Sequence, residues 1–165
     1  MARDHGVIPR SESFLEYGHT FKFRKGWFRG LESSYQQRWL WYRDARVLTL
    51  TSTEIVYLPR DWTGTLSTTG ARSRFSGTAS EWRPSGMAKL GFPLYRRLSG
   101  NMFFAVGSEN FALVDQIGSF SAHTYGGGLR CRLNTKQDIS GYVARQDRST
   151  SRTQTSFGVS YGFRF

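Results

Sequence analysis

The sequence has no long apolar run. No stretch approaches the roughly 18 consecutive apolar residues that a membrane-spanning helix needs, and the mean hydropathy is only -0.49. These two properties exclude a helical membrane protein. They do not exclude a membrane β-barrel, because barrel strands alternate lipid-facing apolar residues with lumen-facing polar ones and have a polar average composition.

Cysteine and the common ligand-binding motifs are almost absent. Cys131 is the only cysteine, which excludes a disulfide framework and a cysteine-based metal cluster. There is no HExxH motif and no Asp-rich loop, and the triplet at 126–128 (Gly-Gly-Gly) is not followed by the Lys-Ser/Thr of a phosphate loop. We therefore expect no metal and no cofactor. The glycine triplet is better explained by tight strand curvature or by a large neighbouring side chain.

The N-terminal segment MARDHGVIPRSES lacks the apolar stretch and cleavage site of a secretory signal. This argues against export of the chain as written, and we interpret the sequence as a mature or N-terminally truncated chain. Residues 1–12 are predicted to form a tail and residues 13–165 a β-barrel.

The net charge is +11 and the pI is about 10.4, so the protein is attracted to polyanions. Nucleic acid, anionic lipid and the phosphates of lipopolysaccharide all fit that charge. The Lys and Arg residues are dispersed through the chain rather than gathered in a run. This dispersion weakens the interpretation as a nucleic-acid-binding protein.

The last eleven residues, TSFGVSYGFRF, alternate large apolar residues with small or polar ones. A period of two places the two sets on opposite faces of a strand. A small or polar face opposite an aromatic one suits the narrow interior of a barrel. The apolar set is Phe157, Val159, Tyr161, Phe163 and Phe165.

The same alternation recurs at residues 14–24, 31–41 and 124–133. Weaker strands follow from β-branched and aromatic content, and no window has a convincing helical period. The sequence therefore predicts an all-β fold: an antiparallel up-and-down transmembrane β-barrel of about 8–10 strands, or the C-terminal part of a larger barrel. The weaker spans are 45–58, whose facing is ambiguous, 62–75, 86–95, 101–108 and 137–146.

The connections give a second test of a barrel. If the chain ends at the periplasmic side, longer extracellular and shorter periplasmic connections alternate, as in bacterial barrels, except at the short 42–44. The nine spans are an odd number, whereas single-chain bacterial barrels have even numbers, so we expect one strand to be miscounted or missing. The expected extracellular connections are 147–153, 109–121 and 76–84, and the periplasmic ones are 134–136, 96–100 and 59–61.

Within each strand, charged residues that share alternate positions with the small and polar residues are predicted to face the lumen. In a narrow barrel they would pair across it as a polar core, whereas in a larger barrel the arginines would line an anion-favouring pore. The predicted lumen charges are Glu16, Lys22, Arg24, Glu32, Arg38, Arg130, Arg132 and Arg164.

Aromatic residues cluster near the predicted strand ends. Such residues form girdles where a barrel meets the lipid headgroups, although aromatic residues in the core of a soluble β-protein are the other interpretation. The predicted interface aromatics are Trp27, Trp39, Trp41, Trp62 and Tyr95.

The terminal sequence GVSYGFRF resembles the C-terminal signal of bacterial outer-membrane β-barrel proteins, and residues 121–165 are similar in texture to the closing strands of that broad group. The resemblance implies that the barrel-assembly machinery recognises the last strand. It also implies that the chain lies in the cell outer membrane, in contact with lipid and lipopolysaccharide. An unpaired edge strand suits such recognition, because it can add to a partner's sheet. The residues that match the signal are Val159, Tyr161, Phe163 and Phe165.

Catalysis would require a general base, and the candidates are His5, His19 and His123. Lipid A deacylases carry a His-x-Ser pair, whereas here the order is Ser-Ala-His-Thr at 121–124. We therefore expect a structural, envelope-interaction or pore module that is not an enzyme and has no nucleic-acid partner. Two alternatives stay open: a soluble basic β-barrel that binds nucleic acid or another polyanion, and a small lipid-modifying outer-membrane enzyme.

Overall fold

The computed structural model describes residues 9–23, 26–43, 45–75, 80–108, 121–149 and 153–164. They form one antiparallel sheet in which each strand pairs with the next along the chain. The only helical element in these ranges is a 3₁₀ turn at Pro59–Asp61. The strands are β1 (Ser11–Lys22), β2 (Gly30–Trp41), β3 (Ala45–Tyr57), β4 (Thr63–Phe75), β5 (Glu81–Tyr95), β6 (Leu98–Ser108), β7 (Ser121–Arg132), β8 (Gln137–Arg148) and β9 (Thr153–Phe163).

The predicted all-β antiparallel architecture is confirmed, and every predicted span overlaps one observed strand. The largest difference is in β5, which begins at Glu81 rather than at residue 86. Its first residues, including Pro84, pair with β4 alone, because pairing with β6 begins at Ser85. Proline has no N–H group to donate to a neighbouring strand. It is tolerated here because this part of β5 has a neighbour on one side only.

β1 and β9 form the two edges of the sheet. In the described part of the chain each pairs with one neighbour only, so the sheet is open and closure into a barrel is not observed. Since consecutive strands alternate in direction, the first and ninth strands run the same way.

The strand ends lie at two ends of the sheet. The strand ends that flank connections 42–44, 76–80, 109–120 and 149–152 form what we call the upper end, and those that flank 23–29, 58–62, 96–97 and 133–136 form the lower end. This division follows the predicted one. The predicted difference in length fails at 23–29, because this lower connection is longer than 42–44, 76–80 and 149–152 of the upper end.

Candidate functional site

The strand register separates the side chains of all nine strands into two faces. Directly paired residues of neighbouring antiparallel strands share a face, so each row of partners across the sheet can be followed from β1 to β9. One such row contains no polar residue. Its members are Phe21, Leu31, Val56, Gly64, Leu90, Met102, Gly127, Val143 and Phe157. We call the face that carries this row the apolar face.

The opposite side of the sheet, the polar face, carries mostly hydroxyl, charged and small side chains. On it, Thr51 and Thr69 are joined by their Oγ1 atoms at 3.0 Å, and Ser140 and Ser160 by their Oγ atoms at 2.7 Å. A groove of about 270 Å³ crosses from β4 to β8 on this side. The polar-face residues that line it are Ser67, Thr69, Ser85, Met87, Ala105, Gly107, Ala122, Thr124 and Gln146.

Burial differs between the two faces of the sheet. Among the described residues, the only buried apolar side chains are four alanines, and the register places all of them on the polar face. Large apolar residues of the other face stay exposed, for instance Val143 at 55% and Phe157 at 83%. In the described residues, burial of apolar side chains is therefore confined to the polar face. The four alanines are Ala45, Ala71, Ala122 and Ala144.

The register also resolves the ambiguous strand β3. Val47 and Ile55 lie on the polar face, opposite Leu40 and Glu32 of β2. Leu48 and Val56 lie on the apolar face. Neighbouring strands fix this orientation, since β3 has apolar residues at both parities.

The apolar face is interrupted on β2–β4. Glu54 lies there, and Ser33 Oγ donates a hydrogen bond of 2.7 Å to Glu54 Oε1. Ser52 and Thr68, which are register partners, adjoin this pair on the same face. Apolar character therefore holds for most of this face and is interrupted around Glu54.

Six of the eight predicted lumen charges share the polar face. Arg24 lies outside the described residues. Arg164 follows the end of β9, and its backbone N–H donates to the carbonyl of Lys136 at 2.8 Å. The six residues that the register places on the polar face are Glu16, Lys22, Glu32, Arg38, Arg130 and Arg132.

The observed ion pairs on the polar face join neighbouring strands. Arg38 binds Glu12 in a two-pronged contact, with Nε to Oε1 at 2.7 Å and Nη2 to Oε2 at 3.1 Å. Arg130 Nε binds Asp138 Oδ2 at 2.7 Å. Pairing across a lumen stays a prediction. Glu12 and Asp138 were missed as members of the polar set. Glu12 shares the parity of Glu16 and Lys22, whereas β8 carries charged residues at both parities.

The Tyr57 hydroxyl donates to Glu32 Oε2 at 3.0 Å, between β3 and β2. This contact also lies on the polar face. The carboxylates of Glu12 on β1 and Glu32 on β2 therefore each accept hydrogen bonds from a donor on the next strand. Some of the charged groups on the polar face are thus paired with neighbours on the same face.

The glycine triplet of β7 is required by close approach of the backbone. A Cβ atom at position 127 would lie 2.9 Å from the Asn101 carbonyl oxygen, and one at Gly128 would lie 3.0 Å from that of Gly141. At Gly126 the Cβ would collide with the Val143 carbonyl. A large neighbouring side chain, which the sequence also suggested, occurs at a different glycine, where the Tyr142 ring lies against Gly158.

The predicted interface aromatics divide between the two ends of the sheet. Trp39 and Trp41 lie on the apolar face at the upper end of β2. Trp27, Trp62 and Tyr95 lie at the lower end, where Trp62 packs against Phe92 with ring centroids 5.5 Å apart. The positions fit two girdles, and a role at a membrane interface stays a prediction.

The last strand presents its aromatic residues outward. Val159, Tyr161 and Phe163 lie on the apolar face of the edge strand β9 and are 77%, 59% and 48% exposed. Phe165 lies outside the described residues. The predicted recognition by an assembly machinery is not tested by this geometry.

The chain matches no family model, no curated protein and no solved structure.

The histidines of the described strands lie among aromatic residues on the apolar face. The ring of His19 is 4.4 Å from that of Phe21, and the ring of His123 stacks on Phe104 at 6.2 Å. His5 lies outside the described ranges. Within these ranges no group of three or more His, Cys, Asp or Glu residues is placed to hold a metal ion. In the same part of the chain, no helix is long and apolar enough to cross a membrane.

Proposed function

We propose that this chain is a β-barrel of the bacterial outer membrane that serves as a structural, envelope-interaction or pore module. The observation that carries the proposal is the apolar row that continues through all nine strands on one exposed face of the sheet. A soluble protein has the reverse arrangement, with its apolar face turned inward.

The dimensions of the strands support a membrane position. The strands contain 11 to 15 residues. A strand of about 12 residues is about 40 Å long, and tilted by about 40° it spans roughly 30 Å, the thickness of the hydrocarbon core. Each strand is therefore long enough to cross a bilayer.

The extent of the apolar face argues against a soluble monomer. Eight spacings of about 4.8 Å place β9 about 38 Å from β1 along the sheet. Soluble monomers rarely expose contiguous apolar patches larger than about 300–600 Å². A hydrocarbon environment removes the cost of exposing such a surface.

Closure is part of the proposal. The polar face becomes the lumen, and the ion pairs of Arg38 and Arg130 lie inside it. Because β1 and β9 run in the same direction, closure takes either one parallel pair between them or a further strand that pairs with both. Either solution satisfies the edge groups that lipid would leave unpaired.

We assign the lower end, where β9 ends at Phe163, to the periplasm, and the upper end to the cell exterior. The resemblance of the terminal sequence to the outer-membrane assembly signal supports this orientation. The barrel-assembly machinery and the lipids of the outer membrane are the partners that follow from it.

The test is folding of the full chain in phosphatidylcholine vesicles. The expected result is heat-modifiable migration on gels, resistance to carbonate extraction and protection of the strands from protease. A soluble polyanion-binding protein would stay in the aqueous fraction and bind nucleic acid with a steep salt dependence. That result would refute the proposal.

The assembly signal is tested in cells with two phenylalanine substitutions on the edge strands. Phe163→Ser removes an exposed aromatic residue from the apolar face of β9, and it should lower the amount of protein in the outer-membrane fraction. Phe14→Ser is the matched control, because Phe14 is 53% exposed but lies on the polar face of β1. Equal losses for both variants would contradict a specific role of the last strand.

A further inference from the structure

The arginines of the apolar face are confined to the upper half of the sheet. The register places Arg46 of β3, Arg72 and Arg74 of β4 and Arg145 of β8 on this face. Each lies within four residues of the upper end of its strand. In the described strands, no Lys or Arg occupies the lower half of the same face. The positive charge of this face is therefore concentrated at one end.

Three of these arginines, Arg46, Arg72 and Arg74, form what we call the arginine cluster. Arg46 and Arg74 are direct register partners. Like charges directly opposite each other on neighbouring strands repel and destabilise the pair. Both side chains are exposed, and within the described residues neither has an ion pair or a side-chain hydrogen bond. Arg145 differs, because its Nε lies 3.2 Å from Asp147 Oδ1.

The third arginine is held against a tryptophan. The Arg72 guanidinium carbon is 5.9 Å from the centroid of the Trp82 ring, and Arg72 Nε donates to Ser80 Oγ at 2.9 Å. The Trp82 ring lies against Gly70, where an added Cβ would be 3.3 Å from Cζ3. Because Gly70 has no side chain, the indole ring can pack against the strand at this position, and the indole in turn positions the Arg72 guanidinium group.

We propose that the arginine cluster binds the phosphate groups of an anionic lipid in the outward-facing leaflet. The inference rests on the proposed membrane function and goes further by naming a site and a ligand class. Guanidinium groups bind phosphate oxygens through paired hydrogen bonds, and a phosphate between Arg46 and Arg74 turns their repulsion into two attractions.

The surroundings of the cluster select a lipid over a free phosphate ion. Leu48 and Leu50 follow Arg46 along the apolar face of β3 toward the middle of the sheet. Trp82 lies at the level of Arg72, where indole rings favour the boundary between headgroups and acyl chains. A ligand with phosphate at one end and acyl chains at the other matches both parts of this surface.

The test uses the full chain folded in uncharged detergent micelles and titrated with diphosphorylated lipid A, with bound lipid counted by native mass spectrometry. Heat-modifiable migration is measured first. Failure to fold would count against the proposed barrel, whereas a folded protein that binds lipid A no better than phosphatidylcholine would overturn the arginine site alone.

The decisive variant is Arg46→Gln/Arg74→Gln. At about 1 kcal/mol for each basic residue near an anionic surface, the loss of two corresponds to about 30-fold weaker binding. The control is Lys22→Gln/Arg132→Gln, which removes the same charge from the lower end of the polar face and should leave binding unchanged. Equal losses in the two variants would show that only net charge matters and would overturn the site.

Urea unfolding and displacement by inorganic phosphate give two further tests of the lipid site. Without anionic lipid, the Arg46→Gln/Arg74→Gln variant should unfold at higher urea concentration than the parent, because the repulsion is removed. With lipid A the order should reverse. The absence of reversal, or displacement of lipid A by inorganic phosphate at similar concentration, would overturn the assignment to a lipid.

Discussion

The substitution Val143→Arg separates a lipid-facing surface from a water-facing one. Val143 is the seventh of twelve residues in β8, and its register partners on either side are Gly127 and Phe157. It is 55% exposed, so an arginine can be placed there without steric conflict. The environment of the exposed surface alone decides what the new charge costs.

The expected cost depends on that environment. At the middle of a bilayer, an arginine on the outside of a barrel costs about 2–4 kcal/mol. This corresponds to a decrease of roughly 30- to 1,000-fold in the folding equilibrium constant. On a water-exposed surface, the same substitution changes stability by about 0.5 kcal/mol at most.

The matched control is Thr124→Arg on the neighbouring strand β7. Thr124 lies on the polar face between Ala105 and Gln146 and lines the groove of about 270 Å³. An arginine on this face enters a polar environment that has room for it, so its cost should be well below that of Val143→Arg.

The assay is a urea titration of each variant in phosphatidylcholine vesicles, with the folded fraction measured by gel migration without heating. A lipid-facing apolar surface predicts a large loss of stability for Val143→Arg and a small one for Thr124→Arg. If Val143→Arg folds as stably as the parent, or if Thr124→Arg is the more damaging change, the assignment of the two faces is wrong.

Three further substitutions test other parts of the sheet by urea titration under the same conditions. Gly126→Ala should cost about 1–3 kcal/mol, because its Cβ would collide with the β8 backbone, whereas Gly64→Ala has nothing within 4 Å and should cost little; equal effects would contradict the close approach. A double-mutant cycle of Glu12→Gln and Arg38→Gln should give a coupling of about 0.2–1 kcal/mol that weakens with salt, since both side chains are nearly half exposed; a larger, salt-independent coupling would mean a desolvated pair. Glu54→Leu should stabilise the protein by about 1 kcal/mol in vesicles, and destabilisation would contradict a lipid-facing position of this side chain.

The positions of the strands could be predicted from the sequence because each strand carries its own period of two. The last strand is the clearest case: Phe157, Val159, Tyr161 and Phe163 alternate with small or polar residues, and all four lie in β9 on the apolar face. The starting point of β5 could not be predicted from Pro84. Whether a proline is tolerated depends on which neighbours the strand has at that point, and this is a property of the whole sheet.

The polar site was only partly predictable for a related reason. Parity on a single strand placed Arg38 and Arg130 on the polar face, but their partners Glu12 and Asp138 follow from the register between strands. The same limit applies to the arginine cluster. Arg46 and Arg74 are distant in sequence, and only the pairing of β3 with β4 brings them opposite each other.

The low mean hydropathy and the proposed membrane position are compatible because amino-acid composition does not show on which face of the sheet each residue lies. An average over the chain counts the hydroxyl-rich polar face and the apolar face together, and the result resembles a soluble protein. The energetic question is which residues lose contact with water. In the described residues only four alanines and two glycines, Gly30 and Gly100, are buried within the chain itself, which leaves almost no apolar core to hold nine strands together. The bilayer of the proposed function would supply hydrophobic stabilisation from outside the sheet, along every strand at once.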